Sequence, residues 1–242
     1  INIKIVNAGI EGQSTLGHLN NFNTWFKKLE NFNPKVIIFY IGINDHLADL
    51  DNLDERRNRD GLMTNPDKKE MISDYLKSSS IFYDLLRKTK HKYYQSDKPR
   101  VVYDFNKSII DFYKNKKFDF LNYDDALNEL DIDRIISENQ RRINYYIKNI
   151  DKLYNASKNI GAQAIFINQL MSDGNNNEKL FILNYSLIKH CVKKNYKCVD
   201  LAKKLKGKKD FWWDGIHTTI KGSEEISNLI FDDLITLIPG KI

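Results

Sequence analysis

Two uninterrupted apolar stretches constrain this chain most. Lys35 to Ile41 carries six apolar residues in a row, and Ala162 to Leu170 is built around Ala-Ile-Phe-Ile. Neither alternates polar with apolar, so neither fits a strand with one face in water. Both fit strands of a parallel sheet covered on both faces. Parallel neighbours need crossovers, and the flanking sequence supplies helical patterns to make them. Leu16, Leu19, Phe22, Trp25, Phe26 and Leu29 recur at helical spacing before Pro34 and the first run. Arg134 to about Asn159 carries Ile135, Ile136, Ile143, Ile147, Ile150, Leu153 and Tyr154 along one side, with Gly161 as its C-cap. Beyond the second run come a loop at 173–177, a helix from Glu178 to Asn195 and a short strand from Lys197 to Leu201. A loop at Trp213 to His217 and an amphipathic helix from Ile220 to Ile238 complete the series. Ile1 to Asn7, rich in β-branched residues, reads as a further strand leading into a glycine-bearing turn at residues 8–15. The order of elements predicts an α/β domain with a central parallel sheet.

Residues 46–133 break this period. They are polar, charged and rich in Tyr and Phe, and too long for an ordinary connection. They read as a mainly helical insertion packed over one end of the sheet, with a helix from Lys69 to Lys90. Its Tyr83, Tyr93, Tyr94, Tyr103, Phe105, Phe112 and Tyr113 are expected to form the insertion's own small core, with lining of a substrate site as the alternative.

Composition sets the outer limits. The 242 residues are 41% hydrophobic and 29% charged, with 4 prolines and 11 glycines, as in a globular chain without a long disordered linker. The net charge of +6 gathers in runs such as Lys114 to Lys117 and Lys203 to Lys209, but acids interleave with most of the basic runs. They read as solvated surface, and no nucleic-acid partner is expected. No apolar run approaches the length of a membrane span, and no targeting segment is visible in the residues given, so the compartment is left open. His18, His46, His91, His190 and His217 are scattered without metal-ligand spacing, so no metal is expected. Gly9 and Gly12 lack the third glycine of a dinucleotide fingerprint, so no cofactor is expected either. Cys191 falls in a helix and Cys198 in a strand. Two thiols make no disulfide framework, and both read as small core residues.

Chemistry concentrates where α/β domains keep their sites, after the carboxyl ends of strands. Asp214 and His217 stand three apart on a loop leading into a helix. That spacing lets the carboxylate reach the near ring nitrogen, fix the tautomer and leave the other nitrogen as a general base. Asn44, after the first apolar run, can offer its side-chain N–H2 to a developing oxyanion, and Gly12 a backbone N–H. Taken singly, each has a plain structural reading as a helix cap, an Asx turn or a turn glycine.

Taken in order, these residues resemble the SGNH (GDSL-type) hydrolase family. Residues 8–15 resemble its second sequence block, with Gly12 in the oxyanion-glycine position. Gly42, Ile43, Asn44 and Asp45 match the Gly-x-Asn-Asp of its third block. Asp214 to His217 match the Asp-x-x-His of its last block, and Thr218 to Gly222 resemble the His-x-x-x-x-Gly that begins its terminal helix. The resemblance covers residues 1–45 and about 134–242. It implies a three-layer α/β/α sandwich of flavodoxin-like order, with catalytic His217 and Asp214 and oxyanion donors Gly12 and Asn44. It also implies serine-based cleavage of acyl esters of carbohydrates or lipids, acetyl esters among them, with a small-molecule or glycan ester as the partner. The family's Gly-Asp-Ser block occurs nowhere in the chain. The nucleophile and its strand are expected to precede Ile1, and the 242 residues alone to be inactive. Ser14, nearest to the matched glycine, has no nucleophilic role in the pattern. An O-acyltransferase, and a non-catalytic pseudoenzyme or glycan-binding module on the same fold, are the alternatives.

Overall fold

The computed structural model describes residues 4–10, 12–48, 50–51, 114 and 117–238. The chain divides into two units, residues 1–62 with 105–242 and residues 63–104. Everything below concerns the first, because the second lies wholly outside the described residues. The expected helix from Lys69 to Lys90 and the seven insertion aromatics named above also lie outside them.

Among the described residues three strands form the sheet, β1 (Val36–Ile41), β2 (Gln163–Asn168) and β3 (Lys197–Val199), in the order β1-β2-β3 and all parallel. The register pairs Val36 with Gln163 through to Ile41 with Asn168, and then Ile165 with Lys197. Helix α1 (Thr15–Asn23) and a 3-10 turn (Phe26–Lys28) precede β1, and the single turn α2 (Ile43–His46) follows it. Helices α3 (Tyr123–Glu129) and α4 (Ile132–Asn159) lead into β2. Helix α5 (Glu178–Lys194) joins β2 to β3. The single turn α6 (Leu201–Lys204) and helix α7 (Ile220–Leu237) follow.

Side chains of a strand alternate between faces, and the two hydrophobic clusters divide along that alternation. Phe39, Ile41, Ala164 and Phe166 point into a cluster with Phe22 of α1, Ile143, Ile150 and Leu153 of α4, and Leu183 and Leu187 of α5. Ile165, Ile167 and Val199 point into a second cluster with Leu201, Phe211 and Trp212, flanked by Ile226, Leu229, Ile230 and Leu234 of α7. Helices therefore pack on both faces of the sheet, and β2 is buried as its apolar run required. The helix ends are capped as their sequences dictate. Asp131 accepts the Arg134 N–H at 3.0 Å, Asn177 the Leu180 N–H at 3.0 Å, and Thr219 the Gly222 N–H at 3.1 Å.

Three expectations need correction. The described part of the first expected strand, residues 4–7, is not a strand. Ile5 and Val6 are 88% and 82% exposed. β-propensity makes a strand only where a neighbour completes the ladder, and among the described residues none lies beside this segment. Second, β1 is not buried on both faces. Among the described residues it is an edge strand, and Ile38 and Tyr40 on the face toward α7 are 46% and 40% exposed. Third, Cys191 and Cys198 are not separate core thiols. They are bonded to each other and tie the end of α5 to β3, with their Cα atoms 6.3 Å apart.

Candidate active site

Asp214 and His217 occupy a hairpin. Trp212 pairs with Thr218 in an antiparallel bridge, and the Trp213 N–H donates to the His217 carbonyl at 3.1 Å. Inside this turn Asp214 Oδ1 accepts the backbone N–H groups of Ile216 at 2.7 Å and His217 at 2.6 Å. Its Oδ2 lies 2.7 Å from His217 Nδ1. The three-residue spacing thus does two jobs, folding the turn and gripping the ring. A carboxylate only accepts, so Nδ1 carries the proton, and Nε2 of the neutral ring keeps its lone pair. The Trp213 ring stacks on the imidazole at 5.2 Å between centroids. Burial alone would raise the Asp214 carboxyl. The N–H groups of His217 and Ile216, with the imidazole, outweigh it and hold the carboxyl below its usual range.

Gly42 ends β1 at φ 131°, a conformation that favours glycine, and a side chain there would crowd Asn184 Oδ1 and Leu180. The chain turns at once into α2, which presents the half-buried Asn44. Gly12 has φ 74° in a tight turn in which the Gln13 N–H donates to the Ile10 carbonyl at 3.3 Å.

Asp45, 3% exposed, joins these two segments. Its carboxylate accepts the Thr15 N–H at 3.1 Å and the Thr15 hydroxyl at 2.6 Å. From α4, Asn149 donates to the Thr15 hydroxyl at 3.1 Å, and Arg142 donates to the carbonyls of Asp45 and Ala48. The Gly12 turn and the Asn44 turn are therefore fixed against each other through buried polar contacts. The hairpin is tied to the same sheet edge by the segment after β2, whose Ser172 N–H donates to the Gly215 carbonyl at 3.1 Å. An open depression of about 590 Å³ at the start of α7 is lined by Thr218, Ile220, Ser223, Glu224, Ser227 and Asn228, and His217 is not among its lining residues.

Ser14 is 1% exposed at the start of α1, too enclosed to attack a substrate. Among the described residues no group of three or more His, Cys, Asp or Glu is placed to hold a metal ion, and no helix is long and apolar enough to cross a membrane. Sequence reasoning missed Asp45 and Thr15 as the joint between the two turns, and Gln169 and Ser172 beyond β2. The one signal for Gln169 was a polar Asn-Gln pair closing an apolar run.

The fold and site together define an α/β domain with an oriented Asp–His pair at the carboxyl side of a parallel sheet. No protein-family model, no curated protein and no solved structure matches the chain.

Proposed function

We propose that the chain is the greater part of a serine-type esterase of the SGNH kind, acting on acyl esters of carbohydrates or lipids. His217 is the general base and then the general acid. Asp214 orients it and stabilises the imidazolium, and Asn44 and Gly12 donate to the oxyanion of the tetrahedral intermediate. The observation that carries this reading is the 2.7 Å contact between Asp214 Oδ2 and His217 Nδ1, in a turn that leaves the imidazole side chain 52% exposed.

The nucleophile in this reading is a serine on a turn after a strand that precedes Ile1 and pairs with the outer edge of β1. Two features support that position. The outer edge of β1 has no strand partner among the described residues, and Ile38 and Tyr40 beside it are half exposed. An apolar parallel edge left in this state is an aggregation hazard that a complete domain covers. In the reaction the serine hydroxyl gives its proton to Nε2 as Oγ attacks the ester carbonyl. The leaving alcohol takes that proton back, and water then cleaves the acyl-serine by the same route.

The test is hydrolysis of nitrophenyl acetate by the 242-residue chain and by the protein extended to its natural start. The extended protein is expected to turn over, with activity abolished by His217→Ala and reduced about 10²–10³-fold by Asn44→Ala. The 242 residues alone are expected to be inert. Strong Ser14-dependent turnover by the short chain would overturn the reading. An inactive extended protein would favour a non-catalytic module on this fold.

A further inference from the structure

The residues immediately after β2 touch both halves of the candidate site. Gln169 Oε1 accepts the backbone N–H of Ile43 at 3.0 Å, and so holds the turn that presents Asn44. Three residues on, the Ser172 N–H donates to the carbonyl of Gly215, between Asp214 and His217. Three peptide steps reach at most about 11 Å, so this short run limits how far the two turns can separate.

The run is itself fixed. Asn184, fully buried on α5, donates to the Gln169 carbonyl at 2.8 Å. Leu170 and Ser172 are each 3% exposed. The Gly174 N–H donates to the Met171 carbonyl at 3.0 Å, and the Leu121 N–H to the Asp173 carbonyl at 3.2 Å. The Asn175 N–H returns a bond to the Leu121 carbonyl at 2.9 Å. A mobile loop would let the two turns drift independently, whereas this one couples them to the sheet.

We infer that Gln169 is a positioning residue of the site. Through the Ile43 N–H it sets where Asn44 stands, while the Gln169–Ser172 run sets the spacing from Asn44 to His217. This rests on the esterase reading for its catalytic consequence but not for its geometry. A side chain that acts only through Asn44 has no effect once the Asn44 amide is gone, which distinguishes positioning from general support of the fold.

The experiment has two arms. In the first, Gln169→Met, Asn44→Ala and the double variant are placed in the protein extended to its natural start and assayed on nitrophenyl acetate. Gln169→Met is expected to lower kcat about tenfold to a hundredfold with KM nearly unchanged, since the donor it misplaces acts on the transition state. In the Asn44→Ala background the same change is expected to cost less than twofold. Fully additive losses, or a loss confined to KM, would overturn the inference.

The second arm needs no activity. Amide exchange in the 242-residue chain is expected to be at least tenfold faster at Ile43 in Gln169→Met than in wild type or in Gln169→Glu, which keeps the acceptor oxygen. Exchange at Phe166 in β2 is expected to stay unchanged, and Gln169→Ala replaces Gln169→Met if the latter does not fold. Unaltered exchange at Ile43 would overturn the inference whatever the assay shows. Absent turnover with accelerated exchange at Ile43 would sink the esterase reading alone and uphold the role of Gln169 in holding the turn.

Discussion

Replacing Gly222 with alanine perturbs the joint between the terminal helix and the hairpin that carries His217. Gly222 sits in the first turn of α7, and a Cβ there would lie 2.2 Å from the Phe211 carbonyl oxygen and 2.9 Å from its carbon. Ordinary non-bonded contact would require the two segments to separate by about 1 Å. Two hydrogen bonds hold them where they are, and a third caps α7 beside them. The Thr219 N–H donates to the Phe211 carbonyl at 2.9 Å, and the Thr219 hydroxyl to the Asp210 carbonyl at 2.7 Å. The Gly222 N–H donates to the Thr219 hydroxyl at 3.1 Å. Losing two or three of these at about 1 kcal/mol each outweighs the gain of about 1 kcal/mol from alanine over glycine in a helix. The net destabilisation is about 1–2 kcal/mol, a drop of about 2–8 °C in Tm for a domain of this size. Thermal unfolding followed by circular dichroism measures it. A Gly222→Ala protein as stable as wild type, or more stable, would refute the close approach on which the argument rests.

Phe166 is fully buried and stacked on Phe39 at 5.3 Å, so Phe166→Ala should cost about 3–5 kcal/mol in denaturant unfolding. The Cys191–Cys198 bond closes a short loop, so reduction should cost about 2–3 kcal/mol. The unreduced denatured protein should show no thiol to an alkylating reagent. The folded-state pKa of Asp214 is depressed, so the stability it contributes is complete above the ordinary carboxyl value and is lost as pH falls through the lower folded value. Asp214→Asn should therefore flatten the acid limb of the stability profile below about pH 4.

How much of this was legible follows from how local each feature is. The runs at β1 and β2 and the apolar stripe of α4 declare themselves within a few residues. So does the Asp-x-x-His turn, whose Asp214 carboxylate contacts fall between residues 214 and 217. The segment at Ile1 to Asn7 misled because strand propensity is indifferent to whether a partner exists. The disulfide could not be read, since two cysteines seven positions apart carry no pairing signal without knowledge that α5 doubles back onto β3. Gln169 and Asp45 were invisible as contacts because their partners lie 126 and 30 residues away. The opening motif of α7 was visible as a pattern, but only the 2.2 Å approach to Phe211 explains why it ends in glycine.

The central claim is that Asp214 and His217 serve a serine lying outside these 242 residues. Covalent labelling of the naturally extended protein with a fluorophosphonate, mapped by peptide mass spectrometry, tests it most directly. The account predicts a single adduct on a serine upstream of Ile1, formed at a rate that collapses in His217→Ala. An adduct on Ser14, or labelling unaffected by His217→Ala, would contradict it.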